Sequence, residues 1–134
     1  IIFNKSPFIY LDGAFFIMKY KILGTAPSKS NCYRVIKLGY KCSLGKQKKL
    51  YDYEKSFLTQ MLQYDYEMIE GEFKFVIHVY YPNRRSDLDN SLKVVLDCLQ
   101  KCGAIKNDNR CMEISAFKHL DKLNPRIEFD IIPL

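Results

Sequence analysis

The chain lacks the paired cysteine spacing of a disulfide scaffold. Its five cysteines (Cys32, Cys42, Cys98, Cys102 and Cys111) are odd in number and include no CxxC step, which points to reduced thiols in a cytosol rather than a secreted, cross-linked domain. The same lack weakens a zinc reading of Cys98, Cys102, Cys111 and His119; thiols buried in a core are the expectation. No apolar run is long enough for a bilayer: in the opening IIFNKSPFIYLDGAFFI, Asn4, Lys5, Pro7 and Asp12 interrupt the stretch, well short of the ~20 residues a spanning helix needs. Repeats, low-complexity tracts and linker-like segments are missing too, and 134 residues at 48% apolar content support one core rather than two. Finally, no Asp or Glu occurs from Lys19 to Lys49, whereas nine basic residues do (Lys19, Lys21, Lys29, Arg34, Lys37, Lys41, Lys46, Lys48, Lys49). A solvated face mixes signs, so a one-sided stretch in a chain of net charge +6 suggests a surface that meets phosphate.

What is present reads as a small α+β domain. Met18, followed by Lys-Tyr-Lys, looks like a start, so residues 1–17 are expected to be a non-native or disordered extension and 18–134 the domain itself. Alternation predicts a first strand from Met18 to Leu23, ended by Gly24 and a turn-prone segment. A hairpin is predicted over Tyr33 to Ser43 around Gly39, and an amphipathic helix from Tyr51 to about Met68. Phe73 to Tyr81 alternates strictly and predicts a central strand. Leu92, Val95, Leu96, Leu99 and Cys102 mark a second helix that stops at Gly103. Strands at Glu113 to His119 and Arg126 to Ile132, joined by a turn, close the chain. The order implies a mixed β-sheet with two helices packed on it. His78 and His119 read as a sheet residue and a strand-end residue with no assigned role.

The chemistry concentrates in Ser86-Asp87-Leu88-Asp89-Asn90-Ser91-Leu92-Lys93, between the central strand and the second helix. In extended chain, Asp87 and Asp89 point the same way with Cα atoms ~6.6 Å apart, a spacing one hard cation can bridge. Asp89 or Asn90 can cap the helix, whose N-terminus favours a bound phosphate. Lys93 lies one turn in, on the polar face. Asp108 can supply a third acid: the helix is ~20 Å long, and the six residues back from Cys102 span about as much when extended. Three converging carboxylates repel one another, and a divalent ion resolves that repulsion. Each residue also has a plainer reading. Asp87 and Asp89 can be loop and cap residues, Lys93 can pair with Asp97 at i,i+4, and Asp108 can be a turn residue.

Taken together, Tyr81-Pro82-Asn83-Arg84-Arg85-Ser86-Asp87-Leu88-Asp89-Asn90, then Lys93, Leu96-Asp97-Cys98-Leu99, Gly103 and Asn107-Asp108, resemble the signature of the RusA family of Holliday junction resolvases. Upstream, Ala26-Pro27-Ser28-Lys29-Ser30-Asn31-Cys32-Tyr33-Arg34 resembles that family's N-terminal P-P-S-x-N-x-x-Y-R block, with Ala26 in place of the first Pro. Asn107-Asp108 stands where the family often has two adjacent acids, and the lead-in has two arginines where a longer run is common. The resemblance covers essentially Lys19 to Leu134.

It implies catalytic roles for Asp87, Asp89, Asp108 and Lys93, with the three acids holding one or two Mg2+ ions (Mn2+ as substitute). Asn31, Arg34, Arg84, Arg85 and Lys118 are the candidate nucleic-acid contacts. The implied protein is a cytoplasmic, bacterial or phage-encoded homodimer that nicks four-way DNA junctions in recombination and repair, with no membrane partner and no small-molecule cofactor. Two alternatives remain open: a catalytically inactive protein that binds branched DNA, and an interaction protein using its ten Tyr and nine Phe.

Overall fold

A computed structural model describes residues 8–11, 14–28, 33–38, 41–46 and 48–134; of the strands within 8–17 and 33–46 it describes the backbone. The elements are β1 (Phe8–Leu11), β2 (Ala14–Ile17), β3 (Tyr20–Leu23), β4 (Tyr33–Leu38), β5 (Lys41–Lys46), α1 (Lys48–Met61), β6 (Phe73–Tyr81), α2 (Leu92–Lys101), β7 (Cys111–Leu120) and β8 (Arg126–Pro133). Single 3-10 turns occupy Leu88–Ser91 and Asp108–Arg110. The main sheet has the order β3-β8-β6-β7, while β1 with β2 and β4 with β5 form separate two-stranded sheets. Thus two short strands fall inside residues 1–17, the segment expected to be an extension.

β6 is the centre of the sheet, antiparallel to β8 and parallel to β7. The two closing strands, joined by a turn as expected, flank β6 on opposite sides. Phe73, Phe75, Ile77, Val79 and Tyr81 of β6 all join the core with Leu50, Phe57 and Met61 of α1 and Val94, Val95 and Leu99 of α2. A large apolar side chain buried this way contributes about 1.5–3 kcal/mol relative to exposure. This is the mixed sheet with two helices that the sequence predicts.

α1 buries Leu50, Tyr53, Phe57 and Met61, one stripe at helical spacing. It starts three residues earlier than expected and stops at Met61, well before Met68. The reason lies in the tyrosines beyond it. Tyr64 and Tyr66 turn back so that their rings meet Tyr20 edge-on, with centroids 5.1 and 6.3 Å away. The Tyr64 hydroxyl accepts from the Lys21 amide at 3.0 Å and donates to the Lys21 carbonyl at 3.1 Å. Gln60 does the same for Leu23, accepting at 2.7 Å and donating at 3.0 Å. Side chains from α1 and its exit thereby satisfy the open edge of β3, which is otherwise a template for unwanted strand pairing.

The second face of β6 is also buried, through Val76, His78 and Tyr80. Here His78 Nδ1 lies 2.7 Å from His119 Nε2. The Tyr80 ring has the His119 ring 4.5 Å away on the β7 side and the Arg126 guanidinium 3.7 Å away on the β8 side. Arg126 is fixed in turn by a bond to Asp121 at 2.9 Å and by Glu128 at 3.5 Å. Burial, reinforced by the neighbouring His119, pushes the His78 pKa down to about 4; burial and then Arg126 lower that of His119.

A histidine whose folded pKa is depressed binds its proton more readily once unfolded. Between its ordinary value of 6.5 and about 4, the unfolded chain therefore carries a proton that the folded chain lacks, and stability falls as pH drops through that window. Urea unfolding is expected to show this decline in the native chain and a clearly shallower one in His78→Phe. Equal slopes in the two proteins would assign the acid sensitivity to other groups.

Candidate active site

The site begins where the buried sheet ends. Tyr81, the last residue of β6, is 1% exposed, and its hydroxyl has two partners at the start of the acidic loop. It lies 2.8 Å from Ser91 Oγ and donates to the Asp87 carbonyl at 3.3 Å. Burial raises the Tyr81 pKa; the Ser91 hydrogen bond opposes that shift, and the negative charges of Asp89 and Asp87 add to it. The phenol thus stays a neutral hydrogen-bonding post.

Asp87 is extended, with φ −81° and ψ 145°, but Asp89 already belongs to the 3-10 turn. The Asn90 amide bonds back to the Asp87 carbonyl at 3.2 Å and winds the chain up one residue after Asp87. The expected fully extended Asp87-Leu88-Asp89 is therefore not what forms. The capping expectation is also corrected. Ser91 occupies the N-cap of α2 without a side-chain cap bond, and neither Asp89 nor Asn90 fills that role. The 3-10 turn leads straight into α2, so the chain enters the helix already wound. Asp87 and Asp89 remain exposed to solvent.

Lys93 sits on the first turn of α2 and bridges two acids. Its ammonium lies 3.2 Å from Asp97 Oδ1, the plain i,i+4 pair, and also bonds directly to Asp108 Oδ2, fifteen residues away in sequence. Asp108 raises the Lys93 pKa most; desolvation opposes that shift, and Asp97 adds to the rise. Asp108 is delivered by the return path from α2. Gly103, with φ 79°, ends the helix in the left-handed conformation that favours glycine. Ala104 and Ile105 then bury, and Ile105 bridges to Ile69. The Asn107 side chain accepts from the Asn109 amide at 3.0 Å, and the Gln100 side-chain carbonyl accepts from the Asp108 amide at 3.1 Å. Asp108 therefore meets the start of α2, as the chain-length argument requires.

The structure brings Lys93 and Asp108 together and sets Asp87 and Asp89 around Tyr81. Among the described residues, however, no three His, Cys, Asp or Glu side chains are grouped closely enough to hold a metal ion. The carboxylate chemistry suits a hard divalent cation, while Asp108 is engaged by Lys93 rather than gathered with the other two acids.

Of the candidate nucleic-acid contacts, Asn31 lies outside the described residues, and Arg34 falls on β4, where the backbone is described. Arg84 and Arg85 are exposed on the loop after β6. Lys118 braces that loop from β7. Its ammonium donates to the carbonyls of Arg84, at 3.3 Å, and Ser86, and lies 5.8 Å from the centre of the Tyr81 ring. Lys118 and Tyr81 together tie down both sides of the Ser86-Asp87 step. Sequence reasoning missed Tyr81, Ser91 and Gln100, because nothing in their spacing marks them. The one signal was the position of Tyr81 at the end of an alternating strand, directly before Pro82.

A mixed sheet with an acidic turn at the mouth of its second helix, a lysine inside that helix and a returning acid defines the class. The family model described as Endodeoxyribonuclease RusA matches residues 34–132, and the chain belongs to that family. The crossover junction endodeoxyribonuclease RusA of Aquifex aeolicus (strain VF5) is 39% identical over 61 residues, which is 45% of this chain and 48% of that protein. The match thus spans about half the length of that relative.

Removing the Lys118 ammonium takes two charge-assisted bonds from the loop. Lys118→Met is expected to speed backbone amide exchange over residues 85–88 on the order of tenfold, as about 1.4 kcal/mol of lost local stability implies. Hydrogen–deuterium exchange measured by NMR or mass spectrometry reads this directly. Unchanged exchange there would mean that Tyr81 alone fixes the loop.

Proposed function

We propose that this protein is a structure-specific endodeoxyribonuclease that resolves four-way DNA junctions by paired nicks, acting with Mg2+ as a homodimer in recombination and repair. The observation that carries the reading is the meeting of Lys93 and Asp108 at the mouth of α2, beside the loop that presents Asp87 and Asp89. Membership of the RusA family, whose matched residues include all four, supports it. Among the described residues no helix is long and apolar enough to cross a membrane.

Asp87, Asp89 and Asp108 would hold the ion, which supplies an acidified water and neutralises charge on the reacting phosphate. Binding through Asp108 requires that this carboxylate give up Lys93. The released ammonium is then one helical turn from the acidic loop, suitably placed to contact a phosphate oxygen; a preorganised donor of that kind is worth roughly 3–4 kcal/mol to a transition state. Asp97, one turn further along α2, remains beside the Lys93 ammonium and keeps it on this side of the helix. Arg84 and Arg85, exposed at the loop's entry, offer cations to the flanking strand. Two-fold symmetry places two such sites on one junction and makes symmetric nicks natural.

Asp89→Asn is expected to reduce cleavage of a labelled four-way junction by at least two orders of magnitude while preserving or tightening its binding, since the change removes a metal ligand and a negative charge beside DNA. Omitting Mg2+ from the native protein should have the same effect. Cleavage near the native rate in Asp89→Asn would remove that acid from the site. Binding without cleavage in the native protein, with Mg2+ present, would favour the inactive junction-binding reading.

A further inference from the structure

We propose that a cavity beside the acidic loop is a phosphate pocket, which takes a backbone phosphate of the bound DNA next to the one cleaved. The cavity, about 330 Å³, is lined by Thr25, Ala26, Pro27, Ser28, Lys49 and Ser86. Among the described residues its lining offers three hydroxyls and one ammonium, and no carboxylate. Ala26, 4% exposed, anchors this segment to the core. The chemistry suits an oxyanion: hydroxyls donate to its oxygens and the ammonium balances its charge.

Two features of the surroundings say why a lysine sits there. α1 begins at Lys48 and has no acid in its first turn, which instead carries Lys48 and Lys49. Cations at the positive end of a helix dipole are unfavourable, and an anion docked at that end reverses the sign of the interaction. The second feature is place. Ser86 immediately precedes Asp87, so their Cα atoms are ~3.8 Å apart. A nucleic-acid strand advances by ~3.4 Å along its axis per phosphate in a duplex, so a phosphate in the pocket lies close to one that reaches Asp87. The pocket would therefore set the register of the strand and decide which phosphate meets the acids. This inference rests on the nuclease reading for the identity of the ligand. The anion chemistry itself is independent of cleavage.

The test uses the full chain and two probes, both without Mg2+. Inorganic phosphate, added at constant ionic strength against chloride, is expected to raise the Tm of the native protein and of Lys55→Gln, a control that removes the same charge further along α1. It should not raise the Tm of Lys49→Gln. Junction DNA, titrated across a salt series, should lose about 0.9 from the slope of log K against log salt in Lys49→Gln and retain its slope in a Ser86→Ala protein that nevertheless binds at least threefold more weakly. Lys49→Glu sharpens the expectation: it should raise the Tm in chloride, through the helix dipole, while weakening DNA binding more than tenfold.

A phosphate-dependent Tm shift that survives in Lys49→Gln overturns the pocket. So does a salt slope that falls equally in Lys49→Gln and Lys55→Gln, or DNA binding untouched by Lys49→Glu. A native protein that binds junctions and responds to phosphate as expected, yet never cuts, leaves the pocket standing and ends the nuclease reading. A protein that cuts with Lys49→Gln indistinguishable from native does the reverse.

Discussion

The hydroxyl of Tyr81 connects the buried central strand of this protein to the loop that carries Asp87 and Asp89. Everything at the site refers back to that contact. β6 is closed in by the helices on one side and by an aromatic and charged layer on the other, so its last residue has almost no freedom to move. By bonding the Asp87 carbonyl and lying against Ser91, Tyr81 fixes both ends of the turn that carries Asp89. Without such a post, the Asp87 end of the turn would lose its bond to the sheet's buried strand. Lys118 reaches the preceding step from the neighbouring strand, so the sheet controls the loop through two strands.

Charge is arranged around this post with little waste. Lys93 faces two carboxylates, Asp97 within its own helix and Asp108 from the returning chain. The first contact needs only helical spacing, while the second needs the turn at Gly103, burial of Ala104 and Ile105, and the Gln100 bond to the Asp108 amide. Lys93 thereby balances the charge of the acid that the returning chain brings to the start of α2. Any other cation that bound Asp108 would have to compete with this bond. Exposed pairs of this sort contribute little to stability; the value of this one lies in what it positions.

The other face of the sheet follows a different logic. His78, His119, Tyr80 and Arg126 form a row across three strands, where each ring has a flat neighbour and Arg126 has acidic partners. Placing two neutral imidazoles in this row makes the sheet sensitive to acid, because either ring must be desolvated to remain there. The histidines read without a role in the sequence thus become a structural pair. Their spacing of forty-one residues gave no sign of it, since only the parallel alignment of β6 and β7 makes them neighbours.

Local patterns in the sequence were sufficient for the strictly alternating strand at Phe73 to Tyr81, the apolar stripe of α2 and its stop at Gly103, because those elements are specified by residues a few positions apart. The acids, Lys93 and the reach of Asp108 were legible for the same reason, combined with simple limits on chain length. Tertiary contacts decided the rest. Tyr20 and the edge of β3 ended α1 early by capturing Tyr64 and Tyr66 just beyond it, which no helical period encodes. The backbone bond from Asn90 to Asp87 replaced the extended step with a 3-10 turn, and Lys118 acquired loop carbonyls as partners. Periodicity fixes which side of an element is apolar, but the choice of polar partner depends on which elements pack together, and that is settled only when the core forms.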